Sequence, residues 1–382
     1  MKILVLISAN RNSWHYIVSD SVEAMKELGH EVVVIPVINR KDSIRIILRN
    51  LKELNPNFIF TANNVGLCPE VLDVVNIPIL SWITTEPQVL AEVTPTKNLI
   101  PLVVGESYLN EMKNSGHSRV FLLPLAANPK VFKYIPLSDS DQKRYGCEIS
   151  FAGGCNYDIW YKRHKEGIDR FFSQEVVEKL IARHSWDTSS SIIDHLILTL
   201  EELNRIRDGD REFLRNQLES KVREELIVLH WAAMSKFRKD VIAGIKDFGI
   251  ELYGDEGWRG IEESPGISFH PFIENREELV KLYNATNINL NLPTSKHLNT
   301  STFNIAVCGV FMLSSFNPEL IKSFGNEIVY FKEIEELREK ITYYLAHPDE
   351  REIIASNAQR RALEEHTFLH RMKRLIQIME SQ

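Results

Sequence analysis

The chain has 382 residues, 44% hydrophobic and 25% charged, with acidic and basic residues interspersed to a formal net charge of −7. Such a length exceeds one small core and calls for two domains. The charge excludes a general nucleic-acid surface, which needs a basic patch, but not a local basic pocket for a phosphate.

Residues 2–7, KILVLI, form an apolar run of strand length followed by the polar SANRN. Val22, Met25 and Leu28 then recur at helical spacing up to Gly29, which is placed to stop that helix. Residues 32–35 make a second apolar strand, and Ile44, Ile47 and Leu51 mark the next helix. Residues 58–60, 77–80, 102–104 and 120–123 continue the strand series, with a helix closed by Gly116 before the last. Strands apolar on both faces that alternate with helices predict a doubly wound parallel sheet. Ligands of such sheets bind beyond the carboxyl ends of the strands, which singles out loops 10–15, 61–64, 82–87 and 105–108. No GxGxxG follows the first strand, so no dinucleotide cofactor is expected there.

The polar stretch 138–144 reads as a linker. Residues 147–152 then restart a strand, ended by Gly153-Gly154, a pair that lets backbone N–H groups approach an anion but more often marks an ordinary tight turn. Between about 165 and 231 strand signals fade. Ile193, Leu196, Leu200 and Leu203, then Leu214, Leu218 and Val222, show helical spacing. This predicts a helical insertion whose charges form a solvated face. The alternation resumes with helix 234–248, strand 250–254, strand 267–269 and the loop His270-Pro271-Phe272-Ile273. Helix 276–285, strand 287–290, helix 302–307 stopped by Gly309, and strands 310–313 and 328–330 follow. Helix 334–345, a helix opened by Pro348 and a last helix from Thr367 complete the chain.

Cys68, Cys147, Cys155 and Cys308 form no CxxC pair and no zinc-finger spacing, so they read as reduced thiols of a cytoplasmic protein. The opening MKILVLISANRN lacks the long apolar region and small-residue cleavage site of a signal peptide. No uninterrupted apolar run reaches the ~18 residues of a membrane span.

The stretch from Phe269, FHPFIENREELVKLYNATNINLNLPTSKHLNTSTFNIAVCGVFMLSS, together with the GNEIVYF strand and the helices after it, resembles the donor half of GT-B glycosyltransferases. It is most similar to the group of the spore maturation protein CgeB. The resemblance implies two Rossmann-like domains facing a cleft. Residues 1–137 would be the acceptor domain, left through the Leu123-Pro124-Leu125 segment. Residues 138–365 would be the nucleotide-sugar donor domain carrying the insertion, and 366–382 a helix crossing back. It further implies metal-independent transfer from an NDP-sugar such as a UDP-sugar, with no other cofactor, to a small-molecule, glycan or protein acceptor. The insertion reads as an acceptor surface, a homodimer interface or plain packing.

Residue by residue, the resemblance assigns Phe272 and Ile273 to the loop that reads the nucleobase. Asn299, Thr300 and Ser301 precede a helix N-terminus suited to a diphosphate, although helix capping explains the same residues. Gly153 and Gly154 would close the phosphate side, and Gly254 ends another strand facing the cleft. The paired glutamates of many retaining relatives, spaced E-x7-E, are replaced here by Lys296 and Asn304. Asn304 can bond a ribose hydroxyl and Lys296 can pair with a phosphate or an acidic sugar, which leaves retention or inversion open. An inverting reaction needs a base; Glu86 is the leading candidate and His15 the second. The triplets Asp139-Ser140-Asp141 and Asp208-Gly209-Asp210 end no strand, so no metal is expected. A non-catalytic sugar-nucleotide or glycan-binding protein and a sugar-nucleotide epimerase are the alternatives on this fold.

Overall fold

A computed structural model of the chain describes residues 1–9, 13–38, 40–85, 95–155, 157–187, 190–207, 211–261, 264–293, 295 and 297–381. The chain divides into two compact units. One comprises Met1–Lys130, His297–Asn304 and Arg360–Gln382; the other comprises Val131–Lys296 and Ile305–Gln359.

The first unit contains β1 (Lys2–Ser8), α1 (Ser13–Glu27), β2 (Glu31–Val37), α2 (Arg40–Leu54), β3 (Phe58–Ala62), α3 (Pro69–Val74), β4 (Ile79–Ile83), β5 (Leu99–Val103), α4 (Glu106–Asn114) and β6 (Phe121–Leu122). The strands lie in the order β2-β1-β3-β4-β5-β6, and every pairing is parallel. Parallel crossovers are right-handed as a rule, so an order that reverses between β1 and β3 sends helices to both faces. That is why β3, β4 and β5 are buried along their whole lengths. β4 runs later than the apolar pattern of 77–80 suggests. Pro78 has no N–H to give the ladder and contributes only its carbonyl, which accepts from Ile59 N–H at 2.9 Å. At the other end Ser81 breaks the apolar pattern, yet it is fully buried because its hydroxyl donates to Asn64 Oδ1 at 2.7 Å.

The second unit opens with α5 (Asp139–Tyr145) and β7 (Cys147–Ala152). The stretch read as a linker is therefore a helix. Ser138 accepts from Asp141 N–H to cap it, and Asp141 pairs with Lys281 at 2.9 Å. The insertion follows as α6 (Tyr157–Phe171), α7 (Gln174–Trp186), α8 (Ile192–Glu202), α9 (Arg211–Lys221) and α10 (Arg223–Gly244). Its helices begin before residue 165 and run past 231. The late end has a clear cause: α10 serves two cores. Leu226 and Leu229 pack in the insertion with Ile168, Leu180 and Leu196, while Phe237, Val241 and Ile242 pack on the sheet with Phe151 and Leu290. A helix whose two halves pack in different cores carries no single apolar stripe for a pattern to mark.

The sheet of this unit is completed by β8 (Ile250–Gly254), β9 (Ile267–Pro271), α11 (Arg276–Ala285), β10 (Thr286–Asn291), α12 (Thr300–Cys308), β11 (Met312–Ser315), α13 (Pro318–Phe324), β12 (Val329–Phe331), α14 (Ile334–Ala346) and α15 (Pro348–Glu365). The order is β12-β11-β10-β7-β8-β9, again wholly parallel. Numbered along the chain this is 3-2-1-4-5-6 read from β9, with reversal between β7 and β10.

The last helix, α16 (Phe368–Glu380), belongs to the first unit, where it packs on α1. Arg371 anchors it. Its guanidinium donates to the carbonyls of Pro124 at 2.8 Å, Leu125 at 3.0 Å and Glu365 at 2.8 Å, and burial pushes its pKa down to about 10. Trp82, fully buried, stands edge-on to Phe368 at 6.1 Å.

Candidate functional site

In an open parallel sheet the crevice for a ligand lies where the strand order reverses. In the second unit that point is flanked by Gly153-Gly154 after β7 and Leu292-Pro293 after β10. One side chain holds both loops. Arg238 of α10, 8% exposed, donates through Nη1 to Gly154 O at 2.5 Å and through Nη2 to Leu292 O at 2.9 Å. Its guanidinium lies 5.4 Å from the centroid of the Phe151 ring. Five donors in a fixed fork suit a task in which separate carbonyls must be held at once.

The glycines are explained by close approach. A Cβ at Gly154 would lie 2.3 Å from Asp255 Oδ2, and one at Gly254 would lie 2.4 Å from the Trp258 ring. Asp255 Oδ1 accepts from Cys155 N–H and Gly257 N–H, both at 2.9 Å, and Trp258 Nε1–H donates to Gly153 O at 2.9 Å. Gly153, Gly154 and Gly254 are thus brought together. The amide after the Gly pair, however, already serves a carboxylate of the chain, and a phosphate there would have to displace Asp255. Beside them Tyr253 stacks on His270 at 4.5 Å, and His270 Nε2 lies 2.5 Å from Glu251 Oε2. Burial, aided by Glu251, pushes the Tyr253 hydroxyl up to about 12. Phe272 and Ile273 part company: Phe272 is 53% exposed, whereas Ile273 packs against a cluster containing Tyr253 and Leu282.

Asn299 caps α12. Its Oδ1 accepts from Thr302 N–H at 3.1 Å and from Thr302 Oγ1–H at 2.7 Å. Asn299, Thr300, Ser301 and Asn304 are half-buried and group with the first unit, as do Phe303, 5.4 Å from the His366 ring, and His297, 5.1 Å from that of Tyr108. The structure does not gather them in one unit with Gly153 and Gly154. Lys296 lies outside the described residues.

The first sheet reverses between β1 and β3. His15 stands at that point, with Nδ1 3.0 Å from Ser8 O. After β3, Asn63 and Asn64 have φ of 49° and 57°, left-handed values that asparagine tolerates better than most residues. Asn63 Nδ2 donates to Thr84 Oγ1 at 2.9 Å, and Thr84 N–H returns a bond to Asn63 Oδ1 at 2.8 Å. Non-glycine residues held at positive φ at a strand end are strained backbone of the kind found at functional sites. Glu86, just beyond Thr84 and Thr85, and the triplet 208–210 also lie outside the described residues.

Sequence reasoning singled out loop 61–64 but missed Arg238 and Asp255. Asp255, two residues before Gly257, carries a readable Asx-turn signal; nothing local marks Arg238. Burial pushes Cys147 up to about 11 and Cys308 up to about 12, which keeps both as thiols rather than nucleophiles. Among the described residues no cluster of three or more His, Cys, Asp or Glu is arranged for a metal, and no helix is long and apolar enough to cross a membrane.

Residues 233–377 match the protein family described as Glycosyl transferase-like. Among solved structures, the Anabaena HepE protein in complex with UDP and glucose is similar at a TM-score of 0.57 and 10% identity, over 100% of both chains. A glycosyltransferase from Rickettsia africae matches at 0.55 and 11%, over 100% of this chain and 98% of the other. A sucrose-phosphate synthase from Thermosynechococcus elongatus matches at 0.53 and 12%, with the same coverage. The chain has a GT-B fold, and its likeness to the glycosyl transferase-like family lies within residues 233–377. The family match takes in Arg238, Gly254, Phe272 and Asn299 and stops short of Gly153-Gly154 and β7. No curated protein matches the sequence.

Proposed function

We propose that the protein is a glycosyltransferase that moves a sugar from a nucleotide-activated donor, a UDP-sugar foremost, to an acceptor, without a required metal. The observation that carries this reading is the all-parallel 3-2-1-4-5-6 sheet whose reversal point is lined by glycines and clamped by Arg238, within and beside the glycosyl transferase-like match. HepE, on the same fold, holds UDP and glucose. The assignments of Gly254, Phe272 and Ile273 to the donor, the membership of the CgeB-like group and a cytoplasmic location are parts of this proposal. Catalysis would rest on positioning and on neutralising the departing diphosphate. The N-terminus of α12, with Asn299, Thr300 and Ser301, is suited to that charge, Lys296 adds a cation, and Asn304 offers a bond to ribose. Glu86 is the proposed base and His15 its alternative. Lys296 and Asn304, in place of two carboxylates, favour the second reading, a sugar-nucleotide binding module without turnover.

A thermal-shift screen against UDP-, GDP-, CMP- and dTDP-sugars tests binding. Saturation at a hundred times Kd adds about 2.7 kcal/mol of stability. Slow hydrolysis of the bound donor without acceptor, abolished in Glu86→Ala, is the expected result. Loss in His15→Ala instead moves the base to His15, binding without turnover selects the binding module, and no binding at all refutes both.

A further inference from the structure

The second unit holds a pocket of about 240 Å³ that, among the described residues, shares Pro293 with the reversal point but none of the residues proposed for the donor. Its volume is that of about eight waters at ~30 Å³ each, room for one ring with its substituents but below the usual range for larger ligands. One wall comes from the insertion: Ser185 and Trp186 end α7, and Phe237 lies on α10. The other comes from the carboxyl ends of the strands, chiefly Ser315, which ends β11, and Phe316 after it, and Phe331, which ends β12, and Lys332 after it.

The chemistry of the walls is mixed in a definite way. Trp186 and Phe316 are each left 37% exposed, and Trp186 stands edge-on to Phe237 at 4.9 Å. Buried Ser185 and Ser315 also line the pocket; the Ser185 hydroxyl donates to Ala182 O at 2.9 Å and has only its acceptor side left for a ligand, and the Lys332 ammonium sits 4.7 Å from the Phe316 centroid. Aromatic faces suit the C–H face of a pyranose, hydroxyls suit its rim, and an ammonium selects a charged substituent.

The insertion wall is fixed. His184 Nδ1 meets His195 Nδ1 at 2.8 Å, His184 Nε2 meets His230 Nδ1 at 2.8 Å, and His195 Nε2 meets Asp187 Oδ2 at 3.2 Å. An assignment with one proton on each imidazole satisfies all three contacts. The chain engages His184 and Asp187 on either side of Trp186 and ties the end of α7 to α8 and α10. Asn317 does the same for the strand wall, donating to Ser295 O at 3.1 Å and accepting from Glu319 N–H at 2.9 Å.

We propose that this pocket binds a single pyranose bearing a phosphate or carboxylate, and that presenting it is what the helical insertion does. Binding does not depend on the transferase reading above; use of the bound sugar as acceptor does.

The test is calorimetric titration of the full chain with glucose 6-phosphate, glucuronate, glucose and inorganic phosphate. The anionic sugars bind more tightly than glucose, and inorganic phosphate binds least. Trp186→Ala and Phe316→Ala each weaken glucose 6-phosphate about tenfold. Lys332→Gln brings glucose 6-phosphate to the level of glucose and leaves glucose unchanged. Trp186→Ala removes the packing on Phe237, so Lys332→Gln, on an exposed position, decides the matter if it fails to fold. UDP titrates as before in all three variants. Sugar binding that ignores these substitutions, phosphate binding as tight as the phosphorylated sugar, no sugar binding, or competition between sugar and UDP would each overturn the proposal. Sugar binding by a protein that takes no nucleotide would leave the pocket standing and remove the transferase reading.

Discussion

The two sheets have the same number of parallel strands but furnish their reversal points differently. The first, between β1 and β3, is lined by side chains: His15, Asn63, Asn64 and the Ser81 and Thr84 hydroxyls that answer them. The second, between β7 and β10, is lined by backbone, with Gly153, Gly154 and Gly254 removing every Cβ that would collide. A strand end stripped of side chains lets another group approach closely, but it has lost what would stiffen it. Arg238 and Asp255 supply that stiffness from outside the turn. The first end reads as a place for polar contacts and proton transfer, the second as a place for close backbone approach.

The sharpest break in this comparison comes from the two buried arginines. Arg238→Ala leaves the carbonyls of Gly154 and Leu292 without their donor, and Arg371→Ala does so for those of Pro124, Leu125 and Glu365. Each variant is expected to lose about 3 kcal/mol in urea denaturation, since an orphaned buried group costs roughly 1–3 kcal/mol. Only Arg238→Ala also weakens nucleotide binding in the protein that remains folded; equal loss in both would erase the distinction between the ends.

Gly154→Ala comes next. The new methyl must push Asp255 off two amides, so about 2 kcal/mol of stability is lost. Asp255→Ala in the same background should add little, because the contact is already broken. Additive costs for the two changes would show that the glycine serves something other than the carboxylate.

A smaller effect depends on pH. Burial, with Arg183 adding to it, lowers the pKa of His195, while Asp187 and Asp194 act in the opposite sense. The folded state then binds fewer protons than the unfolded chain, whose histidine titrates near ~6.5. Stability is therefore highest above that pH and falls as pH drops toward the folded pKa, by at most about 1.4 kcal/mol per pH unit for one proton. His30, His117 and His370 are lowered in the same direction, so the whole protein shows a steeper slope. His195→Gln should reduce the slope between pH 7.5 and 5.5 without abolishing it. An unchanged slope would remove His195 from the account.

Smallest is Asn299→Ala, which removes the cap of α12 at a cost of about 1 kcal/mol. If nucleotide affinity stays constant while stability falls, Asn299 is a cap and nothing more; a drop in affinity larger than the stability change supports its place in the donor site.

Much of this fold could be read directly from the chain. Cys147–Ala152, Ile250–Gly254 and Arg276–Ala285 have the expected bounds because a short apolar run, or an amphipathic repeat with Asn275 as its cap, carries its own limits. β4 was misplaced because Ser81 is buried through a partner in another loop, and α10 because its buried residues serve two different cores. Of the candidate site, the glycines and the α12 cap were legible as residue types with known turn and cap roles. Arg238 was not, since an arginine on a helix looks the same whether it faces water or two carbonyls.

What the sequence determined by itself is the succession of strands and helices, their caps and their stops, because these depend on neighbours within a turn or two. Only the tertiary structure decided which strands pair and so where each sheet reverses. It alone joined Arg238 to Gly154 across 84 positions, Asp255 to Cys155 across 100, and His184 to His230 across 46. Such contacts follow from how apolar faces are buried against one another, and no local period in the chain encodes that.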